Sequence, residues 1–321
     1  MRVSVVVPTY HRPDLLGRCL TALVAQDFDP AGYEVVVADD AASDATRRQV
    51  EAFAAAACIS VRYLPVTGPH GPAAARNAGW RAARGAVIAF TDDDTVPDPG
   101  WLAAGLDAFD GPDAVAAAGR VVVPLPAEPT DHERNESGLE RAGFVTANCF
   151  VRRSALEAVG GFDERFRTAW REDSDLEFRL LERGGRVVRA PKAAVAHPVR
   201  PAGWGVSLRQ QRKVLFDALL YKKHPAHYRR RIRRKPPWDY YGIVSAAVLA
   251  GFAAAAGVWV VALAAAGVWA VLSGRFLARR LRGTTHAPRH VAEMVVTSAL
   301  IPWLSVFWRL SGAAKFRVRF L

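Results

Sequence analysis

At 321 residues the chain can hold one large α/β domain with an appendage, or two domains. Half of it is hydrophobic (51%) and nine residues are Trp, which excludes a disordered protein. The net charge of +12 is unevenly spread: both signs mix up to Val199, whereas beyond it the acids reduce to Asp217, Asp239 and Glu293 while Arg clusters appear. A basic, apolar tail points to a membrane surface ahead of nucleic acid. Cys19, Cys58 and Cys149 are scattered without CxxC spacing, which argues against a disulfide framework and against a zinc site.

Val3–Val7 is a continuous apolar run, suited to a strand buried on both faces. It leads straight into a Pro-Thr turn, unlike an export signal, so the N-terminal domain is expected to stay in the cytoplasm. Arg12 to Ala25 has helical spacing, with Leu15, Leu16, Leu20 and Leu23 on one side. Tyr33–Ala38 reads as a second buried strand, and Ser43 to Ala56 as a helix with Ser43 at its N-cap. Ile59–Leu64, a helix over Pro72–Arg84 and a strand at Ala86–Phe90 continue the alternation, which implies parallel strands joined by right-handed crossovers. Such sheets bind ligands at the carboxyl ends of their strands. Here those ends carry Pro8-Thr9-Tyr10, Asp39-Asp40 and Asp92-Asp93-Asp94.

Further along, strands are expected near Ala114–Val123 and Gly143–Val151, and a helix from Arg171 to Arg183. The segment 124–140 is rich in Pro and charge and reads as a loop, a mobile lid over a site. Residues 201–238 hold an amphipathic basic stretch, Trp204 to Lys223, and a nearly unbroken Arg/Lys cluster from Arg229 to Lys235, a linker at a membrane surface. Residues 239–321 form a membrane region. Tyr240 through Gly274 contains no charged residue; as one helix it would span about 50 Å against about 30 Å of hydrocarbon. Basic flanks at both ends favour a helical hairpin over 240–274, turning near Gly257. Residues 291–308, with Glu293 and Pro302, read as an interfacial helix or a third span.

Thr91-Asp92-Asp93-Asp94-Thr95-Val96-Pro97 directly follows a buried strand. Three adjacent carboxylates repel one another unless a cation neutralises them. Mg²⁺ or Mn²⁺, hard ions with oxygen ligands, suit that place and bridge to a diphosphate. On an extended segment Asp92 and Asp94 would point to the same side.

The ordered set of motifs resembles a family 2 glycosyltransferase of the bacterial, membrane-attached type. Val5-Val6-Val7-Pro8-Thr9-Tyr10 resembles the opening strand and turn, and Glu34-Val35-Val36-Val37-Ala38-Asp39-Asp40 the second nucleotide-binding strand. Gly71-Pro72-Ala73-Ala74-Ala75-Arg76-Asn77-Ala78-Gly79 resembles the Gly-x-Ala-x-Ala-Arg-Asn-x-Gly segment. The aspartates resemble the DxD motif, and Gly160-Gly161-Phe162-Asp163-Glu164 with Glu172-Asp173 the acceptor-side motifs. The resemblance covers residues 3–200 and implies the GT-A fold over 1–200, a Rossmann-like mixed α/β sheet for nucleotide-diphospho-sugar transfer, here followed by transmembrane or amphipathic helices.

Carried over, the resemblance places Pro8, Thr9 and Tyr10 at the nucleobase, Asp40 on the base N–H, and Asp39 at the ribose or in the loop. Arg76 would face the diphosphate, with Asn77 beside it. Asp94 would be the more direct metal ligand, Asp92 would lie nearer the sugar or ribose, and Asp93 holds the variable middle position. His197 is implied as a third metal ligand, and Asp173 as the catalytic base of an inverting transfer. Trp170 is placed either to stack on a sugar or to pack in the core. The expected partners are a nucleoside-diphosphate sugar, UDP favoured, a glycan or lipid-linked acceptor, and membrane lipids at the cytoplasmic membrane, with no nucleic acid. A non-catalytic nucleotide-sugar sensor and a GT-A-like nucleotidyltransferase remain as alternatives.

Overall fold

The computed structural model describes residues 1–320. The chain forms two compact units, one of Met1–Pro124 with Ser137–Val199, the other of Leu125–Glu136 with the residues from Arg200 onward. In chain order the first unit runs β1 (Val3–Thr9), α1 (Pro13–Val24), β2 (Tyr33–Asp39), α2 (Asp44–Ala56), β3 (Ser60–Pro65), α3 (Pro72–Ala82), β4 (Val87–Thr91), β5 (Val96–Pro97), α4 (Trp101–Asp107) and β6 (Ala114–Val122). The chain leaves this unit through α5 (Asp131–Glu136) and returns for β7 (Asn148–Arg152), α6 (Arg153–Val159), α7 (Glu172–Glu182) and β8 (Arg186–Ala196).

One mixed sheet, in the order β3-β2-β1-β4-β7-β6-β8-β5, organises the unit. Strands β1 to β4 are parallel where they pair, β7 runs antiparallel to both β4 and β6, and β8 is parallel to β6. The uninterrupted apolar runs follow from burial on both faces. Val3, Val5, Val7, Val35, Val37 and Ala89 pack into one core, whereas Val6, Val36, Ile88 and Phe90 enter a second core on the opposite face. Helix α1 buries Leu16, Cys19, Leu20 and Leu23, and α2 is capped by Ser43, whose hydroxyl accepts from the Thr46 amide at 3.2 Å. The strand expected from Gly143 begins only at Asn148, because a turn in which the Asn148 amide donates to the Val145 carbonyl comes first.

The second unit is helical: α8 (Val206–Gln210), a 3₁₀ turn (Gln211–Val214), α9 (Leu215–Lys223), α10 (Pro225–His227), α11 (Trp238–Ala255), α12 (Trp259–Leu281) and α13 (Pro288–Phe316). The uncharged run divides into α11 and α12 at residues 256–258, where Gly257 takes φ +74. Helices α11, α12 and α13, of 18, 23 and 29 residues, are each long and apolar enough to cross a membrane. Ile243, Phe276 and Ile301 pack between them, while Phe252, Val260, Leu263, Trp303 and Phe307 are exposed. Helix α13 continues through Pro302 and lies close to α9: a Cβ at Gly312 would meet the Leu215 carbonyl oxygen at 2.6 Å.

The segment expected as a mobile lid is instead divided between the units. Residues 125–136 are docked within the helical unit, where the Arg280 guanidinium donates to Asp131 at 2.7 Å and the Thr285 amide to the Pro129 carbonyl at 2.8 Å. Thr130 and Glu133 close a reciprocal capping box at the start of α5. The Pro and charged residues that suggested a loop are thus cap and docking residues.

Candidate active site

The carboxyl ends of β1, β2 and β4 meet on one edge of the sheet, because parallel neighbours end together. The segment after β4 is a tight turn rather than the expected extended strand: the Thr95 amide donates to the Asp92 carbonyl at 3.2 Å and its hydroxyl to the same oxygen at 2.8 Å. Asp92 and Asp94 therefore come together through a reversal of the chain, and Asp93 is turned away. It is buried, accepting from the Thr9 hydroxyl at 2.7 Å and from Arg12 at 3.2 Å, and burial pushes its pKa up to about 6. Thr9 and Asp93 thus brace each other beneath the turn.

Strand β5 pairs antiparallel with the end of β8, Val96 opposite Ala196, which delivers His197 beside Asp94. The His197 Nε2 lies 3.5 Å from Asp94 Oδ1, while its amide donates to the Val122 carbonyl. Ligating atoms of Asp92, Asp94 and His197 all lie within 4.8 Å of one another. Two carboxylates and an imidazole gathered in this way make a donor set that could hold a divalent ion.

A cavity of about 760 Å³ is lined by Tyr10, His11, Asp40, Ala41, Pro69, His70, Gly71, Glu164 and Arg167. Asp40 is anchored at its wall: one carboxylate oxygen accepts from the Gly71 amide at 2.9 Å and the other meets His70 Nδ1 at 3.0 Å. Gly71 has φ +119, and a Cβ there would press on the Arg167 carbonyl. Tyr10 is exposed at the rim and Pro8 is half-buried at the end of β1. Asp39 is elsewhere. It is fully buried and occupied by the Ala41 and Ser43 amides and the Tyr63 hydroxyl, so it holds the β2–α2 loop together and contributes no atom to the cavity wall.

Arg76 and Asn77 also have placements that the sequence did not anticipate. Arg76 is 3% exposed, and its two terminal nitrogens reach Asp92 at 2.7 Å and Glu172 at 3.0 Å. These carboxylates outweigh burial and hold the guanidinium in its charged form. The buried Asn77 donates to the Phe162 carbonyl and to Glu164, and accepts from the Phe162 amide and the Trp80 indole N–H. It latches the Gly-Gly-Phe-Asp-Glu loop. Gly161 sits at φ +75, where a Cβ would strike the Asn77 side chain and approach Trp80 Nε1 to 2.6 Å.

Asp173 lies half-buried in the first turn of α7, with the Ser174 amide donating to it at 2.6 Å. Burial raises its pKa above the ordinary aspartate range, and burial raises that of Glu172 as well. Trp170 is half-buried, with the Arg171 guanidinium 4.4 Å from its ring centre. His70 and Arg167 are site residues that sequence reasoning passed over, whereas Glu164 and Glu172 stood within the acceptor-side motifs without a role of their own.

Residues 4–166, just over half of the chain, match the model described as glycosyl transferase family 2. The chain belongs to that family. A second model, glycosyl transferase family group 2, matches residues 87–311 and so extends through most of the helical unit. Among curated relatives of this family 2 glycosyltransferase, the glycosyltransferase AglE of Haloferax volcanii is 30% identical over 210 residues, which cover 63% of this chain and 68% of the relative. The pre-mycofactocin glycosyltransferase of Mycobacterium tuberculosis is 34% identical over 214 residues, 62% of this chain but only 43% of that protein's length. The fold matches the mannosyltransferase PcManGT of Pyrobaculum calidifontis, solved with GDP-Man and Mn²⁺, at a TM-score of 0.64 and 22% identity over 96% of this chain and 87% of that one. Staphylococcus aureus TarS 1–349 with UDP-GlcNAc matches at a TM-score of 0.51 and 18% identity over 94% of this chain and 91% of that one. The mixed sheet is that of the GT-A fold.

Proposed function

We propose that the chain is a membrane-attached, metal-dependent, inverting glycosyltransferase. It would move a sugar from a nucleoside-diphosphate donor, UDP favoured, to a hydroxyl of a lipid-linked or polysaccharide acceptor at the cytoplasmic membrane face. The observation that carries this reading is the Asp92, Asp94 and His197 cluster, in a sheet unit that also holds the cavity lined by Asp40 and Tyr10. Those three residues would hold Mn²⁺ or Mg²⁺, which when bound supplies positive charge to a departing diphosphate. The neighbour solved with GDP-Man and Mn²⁺ supports that donor class.

Each residue has a share in the reaction. Asp40, held at the cavity wall by Gly71, accepts from the nucleobase N–H, and Tyr10 covers the base. Asp173 takes the proton of the acceptor hydroxyl as its oxygen bonds to the sugar C1 and the bond from C1 to the phosphate oxygen breaks, with the electron pair leaving on the diphosphate. Attack from the face opposite the leaving group inverts the anomeric carbon. Burial suits Asp173 to this role, because a raised pKa makes a stronger base, and the α7 N-terminus favours its ionised form. The membrane assignment rests on α11, α12 and α13, whose exposed aromatic and aliphatic side chains form too large an apolar surface for water. The Arg229 to Lys235 cluster adds attraction to anionic lipid headgroups.

The test offers the detergent-purified protein UDP-, dTDP- and GDP-sugars with Mn²⁺ or Mg²⁺ and measures nucleoside diphosphate release with glycan and lipid acceptors present. Metal-dependent release from one donor, abolished in Asp94→Ala, is the expected result. Donor binding with no turnover under any of these conditions would replace the transferase by a nucleotide-sugar sensor.

A further inference from the structure

We propose that Arg76 is a positioning residue: it holds Asp92 in its ligating orientation and ties it, through Glu172, to the helical turn that carries Asp173. The proposal rests on the reading of Asp92 as a metal ligand and of Asp173 as the base, and assigns Arg76 a role other than binding the diphosphate. Three observations carry it. First, Arg76 is 3% exposed and both terminal nitrogens are committed to carboxylates, Asp92 at 2.7 Å and Glu172 at 3.0 Å. Both ends of the enclosed guanidinium are thus held by the protein's own acids, with Nε left unpartnered.

Second, the two carboxylates belong to the two halves of the reaction. Asp92 stands at the carboxyl end of β4 with the metal cluster, and Glu172 opens α7 immediately before Asp173. One planar fork therefore sets the distance between the donor-side turn and the base-side turn. Third, the fork is itself fixed. Its central carbon lies over the Phe162 ring, 5.9 Å from the ring centre, and the next residue, Asn77, grips the Phe162 amide and carbonyl. Helix α3 thus presents two consecutive side chains, one bracing the carboxylates and one bracing the loop that supports the first.

Lysine carries the same charge but is a single point donor and cannot reproduce a fork between two acids. The experiment compares Arg76→Lys and Glu172→Gln with the full-length wild type in detergent. Mn²⁺ affinity is read by electron paramagnetic resonance titration, and kcat and donor KM by nucleotide release. Arg76→Lys is expected to bind Mn²⁺ about 10- to 100-fold more weakly, the usual cost of removing a group that orients a ligand. Its kcat falls while its donor KM changes by less than about threefold, because the interaction acts on reacting groups rather than on uniform donor binding. Glu172→Gln keeps the Arg76–Asp92 pair, so its Mn²⁺ affinity stays near wild type while its kcat falls about tenfold through Asp173. Mn²⁺ binding unchanged in Arg76→Lys, with donor KM raised, would overturn the proposal and return Arg76 to the diphosphate. If Arg76→Lys does not fold, Glu172→Gln decides, and an unchanged kcat there would equally overturn it. A wild type that binds Mn²⁺ but never turns over, with Arg76→Lys still impaired in Mn²⁺ binding, would sink the transferase reading and leave the bracing of Asp92 standing.

Discussion

Each unit of this protein buries an arginine that ties several of its elements together, and the two are used differently. In the sheet unit Arg76 bridges two carboxylates, Asp92 and Glu172, beside acids assigned to chemistry. In the helical unit Arg280, 8% exposed near the end of α12, meets one carboxylate and three hydroxyls: Asp131 at 2.7 Å, Thr297 at 2.6 Å, Ser298 at 3.1 Å and Ser207 at 3.3 Å. It joins α12, α13, α8 and the docked 125–136 segment. The surroundings explain the difference. A charge flanked by two acids holds those carboxylates aimed, whereas a charge matched by one acid and neutral hydroxyls closes a seam between helices. Burial alone does not distinguish a bracing arginine from a stapling one; the partners do.

Substitutions can break or sharpen that contrast. Asp173→Asn, in the sheet unit, should lower kcat by about 10²- to 10⁴-fold with donor binding retained, measured by nucleotide release and by calorimetric titration of the donor. Retained activity would remove the base assignment and leave the Arg76–Glu172 pair a purely structural one. Arg280→Ala should cost about 3–5 kcal/mol, because it strands Asp131 without its partner. The measure is thermal melting in detergent, and donor affinity below the transition should remain that of wild type. An equal loss of donor affinity would mean that the two arginines do not divide the labour as described.

Gly161→Ala should destabilise the sheet unit by about 1–3 kcal/mol, since the residue sits at positive φ against Asn77 and Trp80. A chemical denaturation midpoint reads it. The smallest expected effect concerns Glu34, fully buried at the far end of the sheet unit. Burial pushes its pKa up, but the Ser4 hydroxyl, Arg62 and the Arg84 amide more than compensate and hold it below the ordinary value. A depressed folded-state pKa contributes stability above the unfolded value of 4.5, and that stability is lost as pH falls through the lower folded-state value. Glu34→Gln should therefore cost about 1.5–2 kcal/mol at neutral pH, with the difference from wild type closing as pH falls from 4.5 through the lower folded-state value. A difference independent of pH would show that shape, not charge, holds that corner.

Much was legible in the residues. The apolar runs at Val3–Val7 and Tyr33–Ala38 announced strands covered on both faces, and the alternation with helices placed Asp40 and Asp92 to Asp94 at strand ends. Ser43 could be recognised as a cap because capping is a local, one-turn interaction. Other features lay outside local reasoning. The loop reading of 124–140 failed because Pro129 and Asp131 have the composition of a loop, and their binding partners, Thr285 and Arg280, lie far along the chain. Arg280 looked like one more member of a basic flank, with nothing in its neighbourhood to mark it as buried.

The sequence alone determined the kinds of element, the two-sided burial of the early strands, the long uncharged stretch in the tail and the collection of acids at the carboxyl ends of strands. These depend on periodicity and on short-range chemistry, which the chain carries residue by residue. Only the tertiary structure decided how those acids are used. It turned Asp93 inward onto Thr9, closed Asp39 within its own loop, brought His197 to Asp94 across β8 and β5, and spent Arg76 on Asp92 and Glu172. Except for the Asp39 loop, each is a contact between residues distant in sequence. Whether a polar group faces a ligand or a neighbour is set by which distant partner arrives to satisfy it, and composition is silent on that.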